Sequence, residues 1–104
     1  MDLEKTVIDN IKRIRKEKGI TQEQLAEACN TATSYIGLME IYKNVPKLST
    51  IEKIAHDLQV EPQVLFLSDK ENKDYEVKIE KIKENVMHDI EKTLLLSLSK
   101  NLHI

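Results

Sequence analysis

Tryptophan is absent from this 104-residue chain, phenylalanine occurs once, and three tyrosines complete the aromatic set. With 40% apolar residues the core must therefore be aliphatic, and the length suits one domain, or one small domain with an appendage. Two glycines and two prolines are too few for the many turns of an all-β fold, which leaves an all-α protein. The single cysteine, Cys29, permits neither an intrachain disulfide nor a thiolate zinc site, so a reducing compartment is expected. Met1 to Asn10 mixes Asp, Glu and Lys with isolated apolar residues, unlike an export signal. The longest aliphatic cluster, Leu94 to Leu98, is broken by Ser97 and is far shorter than a membrane span. The expectation is a soluble cytoplasmic protein with no membrane partner.

Charge is nearly balanced, at a formal −2, which counts against a uniformly basic surface. It is unevenly spread, however. Lys12, Arg13, Arg15, Lys16 and Lys18 face the single acid Glu17 between them. This cluster is either a local basic surface on a neutral whole or an ordinary solvated helix face.

Periodicity divides the first 68 residues into five short helices. The first runs from about Leu3 to Lys18, turns Ile8, Ile11 and Ile14 inward and ends at Gly19 in a left-handed cap. Thr21 and Gln24 form a capping box for the second, whose apolar face is Leu25, Ala28 and Cys29. Asn30 suits the turn, since Asn tolerates the left-handed conformation, and a third helix follows with Tyr35, Ile36 and Met39 in one stripe. Pro46 breaks the chain. A fourth helix carries Leu48, Ile51, Ile54, Ala55 and Leu58, with Ser49 and Glu52 spaced as a second capping box, and Pro62 starts a short fifth with Val64, Leu65 and Phe66. The polar run SDKENKD from Ser68 marks a linker, taken as residues 69–75. Beyond it, residues 76–104 belong to one long C-terminal helix with apolar positions Ile79, Ile82, Val86, Ile90, Leu94 and Leu98. Their spacing of mostly four exceeds the 3.5 period of a left-handed coiled coil, so a long heptad zipper is not expected. The helix either folds back on the first unit or crosses its counterpart in a second subunit; the crossing pair, a homodimer, is favoured because the first five helices already form a closed aliphatic set.

Thr21 to Asn44 thus has the layout of a helix-turn-helix. In IKRIRKEKGITQEQLAE, in SYI with Glu40, and in PKLSTIEKIAHDLQVEPQVLF, the chain resembles the Cro and phage-repressor (XRE-like) class, without a gap from about Ile8 to Phe66. The resemblance implies a five-helix repressor-like bundle whose third helix enters the major groove of double-stranded DNA, usually as a dimer on a symmetric site. It places Gln22 at a backbone phosphate, beside the free amides of a helix start. It sets Thr33, Ser34, Gly37 and Leu38 against base edges, and Lys43 and Asn44, joined by Lys47, in a phosphate-contacting loop. Arg15 and Glu40 correspond to a largely buried structural ion pair. The chain departs from the class at Ala32, in place of a capping Ser or Thr, at Ile41 and Tyr42, in place of a basic residue and glycine, and at Gln59, in place of another glycine. No Arg or Lys occurs from Gly19 until Lys43, so the third helix lacks the side chain that most often reads guanine.

His56, His88 and His103 are far apart, and Glu84 with His88 is too small a ligand set for a metal. No glycine-rich phosphate loop, nucleophile with a base, cofactor fingerprint or effector motif is found, so neither an enzyme nor a cofactor is expected. Cys29 reads as a small core residue and Tyr35 as a half-buried aromatic. Two functions fit these features. One is a homodimeric DNA-binding transcriptional regulator; the other is a protein-interaction module on the same bundle, such as an antitoxin or anti-repressor partner, favoured by the acidic balance and by Leu38, Ile41 and Tyr42.

Overall fold

The computed structural model describes residues 2–102, with side chains as far as Lys100; His103 lies outside the described residues. Among them all regular structure is helical, and the chain divides after Ser68 into two compact units. In the first unit, α1 spans Leu3–Glu17, and Asp2 caps it by accepting the Lys5 amide hydrogen at 3.1 Å. Val7, Ile8, Ile11 and Ile14 recur along one face and are buried. α2 (Gln22–Ala28) opens on a complete capping box, in which Thr21 Oγ1 accepts from Gln24 N at 3.0 Å and Gln24 Oε1 accepts from Thr21 N at 2.9 Å. α3 (Thr33–Glu40) starts at Ala32 with no side-chain cap. α4 (Leu48–Leu58) and a 3-10 helix (Pro62–Phe66) complete the unit.

The core sits where these elements converge. Ile11 of α1, Ile36 of α3, Ile54 and Leu58 of α4 and Leu65 of the 3-10 helix are wholly buried, and Leu25 of α2 nearly so. Each such side chain contributes about 1.5–3 kcal/mol. Asn10, buried beside them, donates from Nδ2 to the carbonyls of Leu65 and Leu67, both at 2.8 Å, and so pins the 3-10 helix to α1.

All four α-helices of this unit stop in the same way. After α1, Gly19 N bonds Lys16 O and Ile20 N bonds Arg15 O; the same pair of bonds recurs around Asn30, Tyr42 and Gln59. This is the Schellman arrangement, which requires a left-handed residue at its centre. Gly19, Asn30, Tyr42 and Gln59 have φ of 68°, 57°, 66° and 59°. Gly19 and Asn30 suit that region, whereas Tyr42 and Gln59 each carry a cost of about 1–2 kcal/mol there.

Several sequence expectations are corrected. Ala26, not Ala28, completes the buried face of α2. Leu48 is 75% exposed because it is the first residue of α4, and Ile51, Ile54, Ala55 and Leu58 already fill the inward stripe. Ser49 and Glu52 make no capping box, since the N-cap residue is Lys47 and no side chain bonds that end. The short fifth helix is present, as a 3-10 turn. Residues 69–75, read as a linker, are helical: α5 runs Asp69–Leu102. That run contains neither glycine nor proline, and Asp69 and Glu71 complement the helix dipole from its first turn. α5 measures about 50 Å at roughly 1.5 Å per residue. Along it Ile79 is half-buried, while Ile82, Val86, Ile90, Leu94 and Leu98 are exposed.

Replacing Gln59 by glycine removes the left-handed penalty without taking away a side chain that packs in the core. Gln59→Gly is expected to raise stability by about 1 kcal/mol, seen as a Tm increase of roughly 4–8 °C. An unchanged or lower Tm in thermal unfolding contradicts the assignment of strain at this position.

Candidate nucleic-acid interface

Asn30 turns the chain between α2 and α3, where its amide bonds Glu27 O at 3.1 Å and that of Thr31 bonds Ala26 O at 2.8 Å. The turn lets α3 press Ile36 and Met39 into the core against α2. Helical geometry then sends Ser34 and Leu38 to the opposite side, sets Gly37 at its edge, and leaves Thr33, one turn before Ile36, at the open first turn of the helix. Thr33 and Ser34 are exposed, Leu38 is 42% exposed, and Gly37 is half-buried. A Cβ built on Gly37 lies 3.6 Å from Gln22 Oε1, an ordinary contact, so steric crowding inside the protein does not require glycine there. Lys43 and Lys47 are exposed after α3, and Asn44 is half-buried.

A buried polar knot fixes this face to α1. Arg15 Nε and Nη2 donate to the two oxygens of Glu40 at 2.7 and 2.8 Å, a bidentate pair, and Arg15 Nη1 donates to Ile20 O at 2.7 Å. Gln22 Nε2 joins by donating to Glu40 Oε1 at 3.3 Å. The Gln22 amide carries two hydrogens, so this bond orients the group and leaves the second hydrogen for a ligand. Burial pushes the Glu40 carboxyl pKa up, but the hydrogen bonds from Arg15 and Gln22 and the charges of Arg15 and Lys12 outweigh it, and the pKa lies below its ordinary value of 4.5.

The basic cluster of α1 is largely consumed within the fold. Arg15 is buried in the knot, Arg13 pairs with Glu17 at 3.1 Å, and Lys18 Nζ donates to Leu58 O at 2.5 Å at the end of α4. Lys12 and Lys16 remain of the five as candidates for a nucleic-acid contact. Lys53 does for α2 what Lys18 does for α4, donating to Cys29 O at 2.7 Å. Cys29 itself is buried, its thiol 3.1 Å from Asp57 Oδ2, and burial together with that carboxylate pushes its pKa up to about 12, so it is a packing residue. The structural bonds of Asn10, Lys18 and Lys53 are not legible in the sequence, because their partners are backbone carbonyls at least 24 positions away and leave no local pattern.

Two short helices joined by a left-handed turn, the second with its outer side uncovered, define the helix-turn-helix class of DNA-binding fold. A family model described as helix-turn-helix matches residues 11–65, and the chain belongs to this family, of the XRE type. Among its relatives is the immunity repressor protein of Bacillus phage phi105, 37% identical over 102 residues, covering 90% of this chain and 71% of the repressor. A hypothetical transcription factor NHTF from Neisseria superposes with a TM-score of 0.67 at 32% identity, over 71% of this chain and 85% of that one. The biofilm master regulator SinR, solved in complex with DNA, superposes with a TM-score of 0.53 at 33% identity, over 57% of this chain and 95% of that one. These relatives are transcriptional regulators rather than enzymes. No helix among the described residues is long and apolar enough to cross a membrane.

Glu40→Gln leaves the Arg15 guanidinium buried without a counter-charge, and a loss of about 3–5 kcal/mol is expected. Because the folded-state pKa of Glu40 is lowered, its contribution is fully present above the unfolded-state value and fades as pH falls through the folded one. Denaturant titrations of both proteins should therefore differ most near neutral pH and converge in acid. A gap that is constant with pH, or absent, contradicts the role given to the pair.

Proposed function

We propose that the protein is a sequence-specific transcriptional regulator that acts in the cytoplasm as a homodimer on a short symmetric DNA site. The observation that carries this is the outward side of α3. Thr33, Ser34 and Leu38 are exposed on a helix whose other side is locked into the core, as a side chain that reads base edges must be. Gln22, Lys43 and Asn44 flank that surface and supply phosphate contacts. In the absence of an arginine on α3, Thr33 and Ser34 offer hydroxyls to base edges and Leu38 offers a surface to a thymine methyl. The kinship with a phage immunity repressor and with SinR, whose structure holds DNA, supports the same reading.

Dimerisation is assigned to α5. Its exposed stripe Ile82, Val86, Ile90, Leu94 and Leu98, continued from Ile79, is an apolar surface of the kind that a second copy covers. Truncation after Ser68 is expected to give a folded monomer in sedimentation; a truncated protein that stays dimeric removes α5 from this role.

A titration on a duplex library at two salt concentrations is expected to select a symmetric site, with affinity falling steeply as salt rises. Absent or salt-independent binding contradicts the proposal. Gly37→Ala sharpens the test, because the added methyl has room in the free protein and removes a helix penalty of about 1 kcal/mol. It should stabilise the fold yet weaken binding, since α3 can then approach the duplex less closely. The second reading, a protein-interaction module, is favoured by exposed Leu38, Ile41 and Tyr42. Joint replacement of Gln22, Thr33 and Ser34 separates the two: loss of DNA binding with dimerisation intact supports the regulator, and retained partner binding with no DNA phenotype supports the module.

A further inference from the structure

The backbone and the side chain of Tyr42 make opposite demands. Its φ of 66° lies where glycine is favoured, so a glycine would end α3 with less strain. The side chain is engaged instead. Its hydroxyl donates to Asp9 Oδ1, and its ring faces the Lys5 ammonium, 5.5 Å from the centroid. Lys5 closes the set by donating to Asp9 Oδ2 at 2.8 Å. Burial raises the Asp9 pKa, but the hydrogen bonds from Lys5 and Tyr42 and the charges of Lys5 and Lys12 bring it below its ordinary value, so the carboxylate is ionised and accepts both bonds at neutral pH.

This cluster contributes little to the core, since Tyr42 is 49% exposed and Lys5 and Asp9 also meet solvent. What it does is join α1 to the residue that ends α3. Lys43 and Asn44 follow Tyr42 directly, and Lys43 N is already tied back to Leu38 O at 2.8 Å. The backbone that carries these two residues is therefore held at two points, one local and one on α1.

We infer that Asp9 and Tyr42 form a positioning latch, which presets Lys43 and Asn44 for phosphate contact by fixing the end of α3 to α1. The inference rests on the DNA-binding function proposed above and adds two residues to it, neither of which needs to touch DNA. Without the latch, the segment must be ordered at the moment of binding, and losing that preorganisation for one or two side chains weakens affinity roughly three- to tenfold.

The test compares full-length wild type with Tyr42→Gly, Tyr42→Phe and Asp9→Ala, by thermal unfolding, amide hydrogen exchange, and titration of the duplex that wild type selects from a random library. Tyr42→Gly is expected to keep or raise Tm while binding roughly three- to tenfold more weakly, a combination that a merely stabilising contact does not produce. Tyr42→Phe, which keeps the ring and loses the hydroxyl, should fall between. Asp9→Ala removes an acid near an anionic ligand and on electrostatics alone should tighten binding; the latch predicts weaker binding. In each variant the Lys43 amide should exchange faster while those of Ile36 and Met39 hold. If wild type selects a duplex and Asp9→Ala and Tyr42→Gly bind it at least as tightly, the latch is overturned and the DNA-binding function stands. If wild type selects none, both fall.

Discussion

The bidentate bond between Arg15 and Glu40 is the interaction on which the arrangement of this domain depends. Apolar packing specifies a volume, and aliphatic cores tolerate alternative packings of similar size. A buried guanidinium and carboxylate do not, because each misalignment leaves a charge without its partner. Arg15 uses its remaining arm on Ile20 O, and Glu40 also accepts from Gln22, so one pair fixes α1, the turn after it, the first residue of α2 and the last residue of α3.

That matters most for α3, which has little local support. Its N-cap is Ala32 with no capping side chain, Gly37 lies in its interior, and its stop uses a strained Tyr42. At eight residues it is too short to be stable alone. It is helical because Ile36 and Met39 fill the core and Glu40 holds Arg15. An element fixed from one side by tertiary contacts leaves its other side free of structural duty. Thr33, Ser34 and Leu38 are therefore free to be chosen for what they touch outside the molecule.

What could be read from the sequence follows the range of the forces concerned. Ile8, Ile11 and Ile14, the Thr21 capping box, and the left-handed residues Gly19 and Asn30 are local patterns, and the structure contains each of them. Ala28 and Leu48 were misassigned because one apolar residue in a short helix can point to either side, and only the packing partners decide. The run from Asp69 looked like a linker because polarity signals solvent, and solvent suits the surface of a helix as well as it suits a loop. Among the basic residues of α1, the pairing of Arg15 with Glu40 is legible only through the family resemblance, and the turning of Arg13 to Glu17 and of Lys18 to Leu58 O is visible only in the structure. Two of those three partners lie 25 or more positions away, beyond the reach of any local pattern. The Asp9 and Tyr42 contact was illegible for the same reason.

In the proposed function the outer side of α3 and the loop after it form the working surface, while the opposite side of the first unit is structural. Amide chemical-shift mapping of the protein with its selected duplex tests this most directly. Large changes are expected at Gln22, Thr33, Ser34, Gly37, Leu38, Lys43 and Asn44, and negligible ones at Asn10, Leu65 and Leu67. Changes concentrated on the 3-10 helix or along α5, with Thr33 to Leu38 unmoved, contradict it.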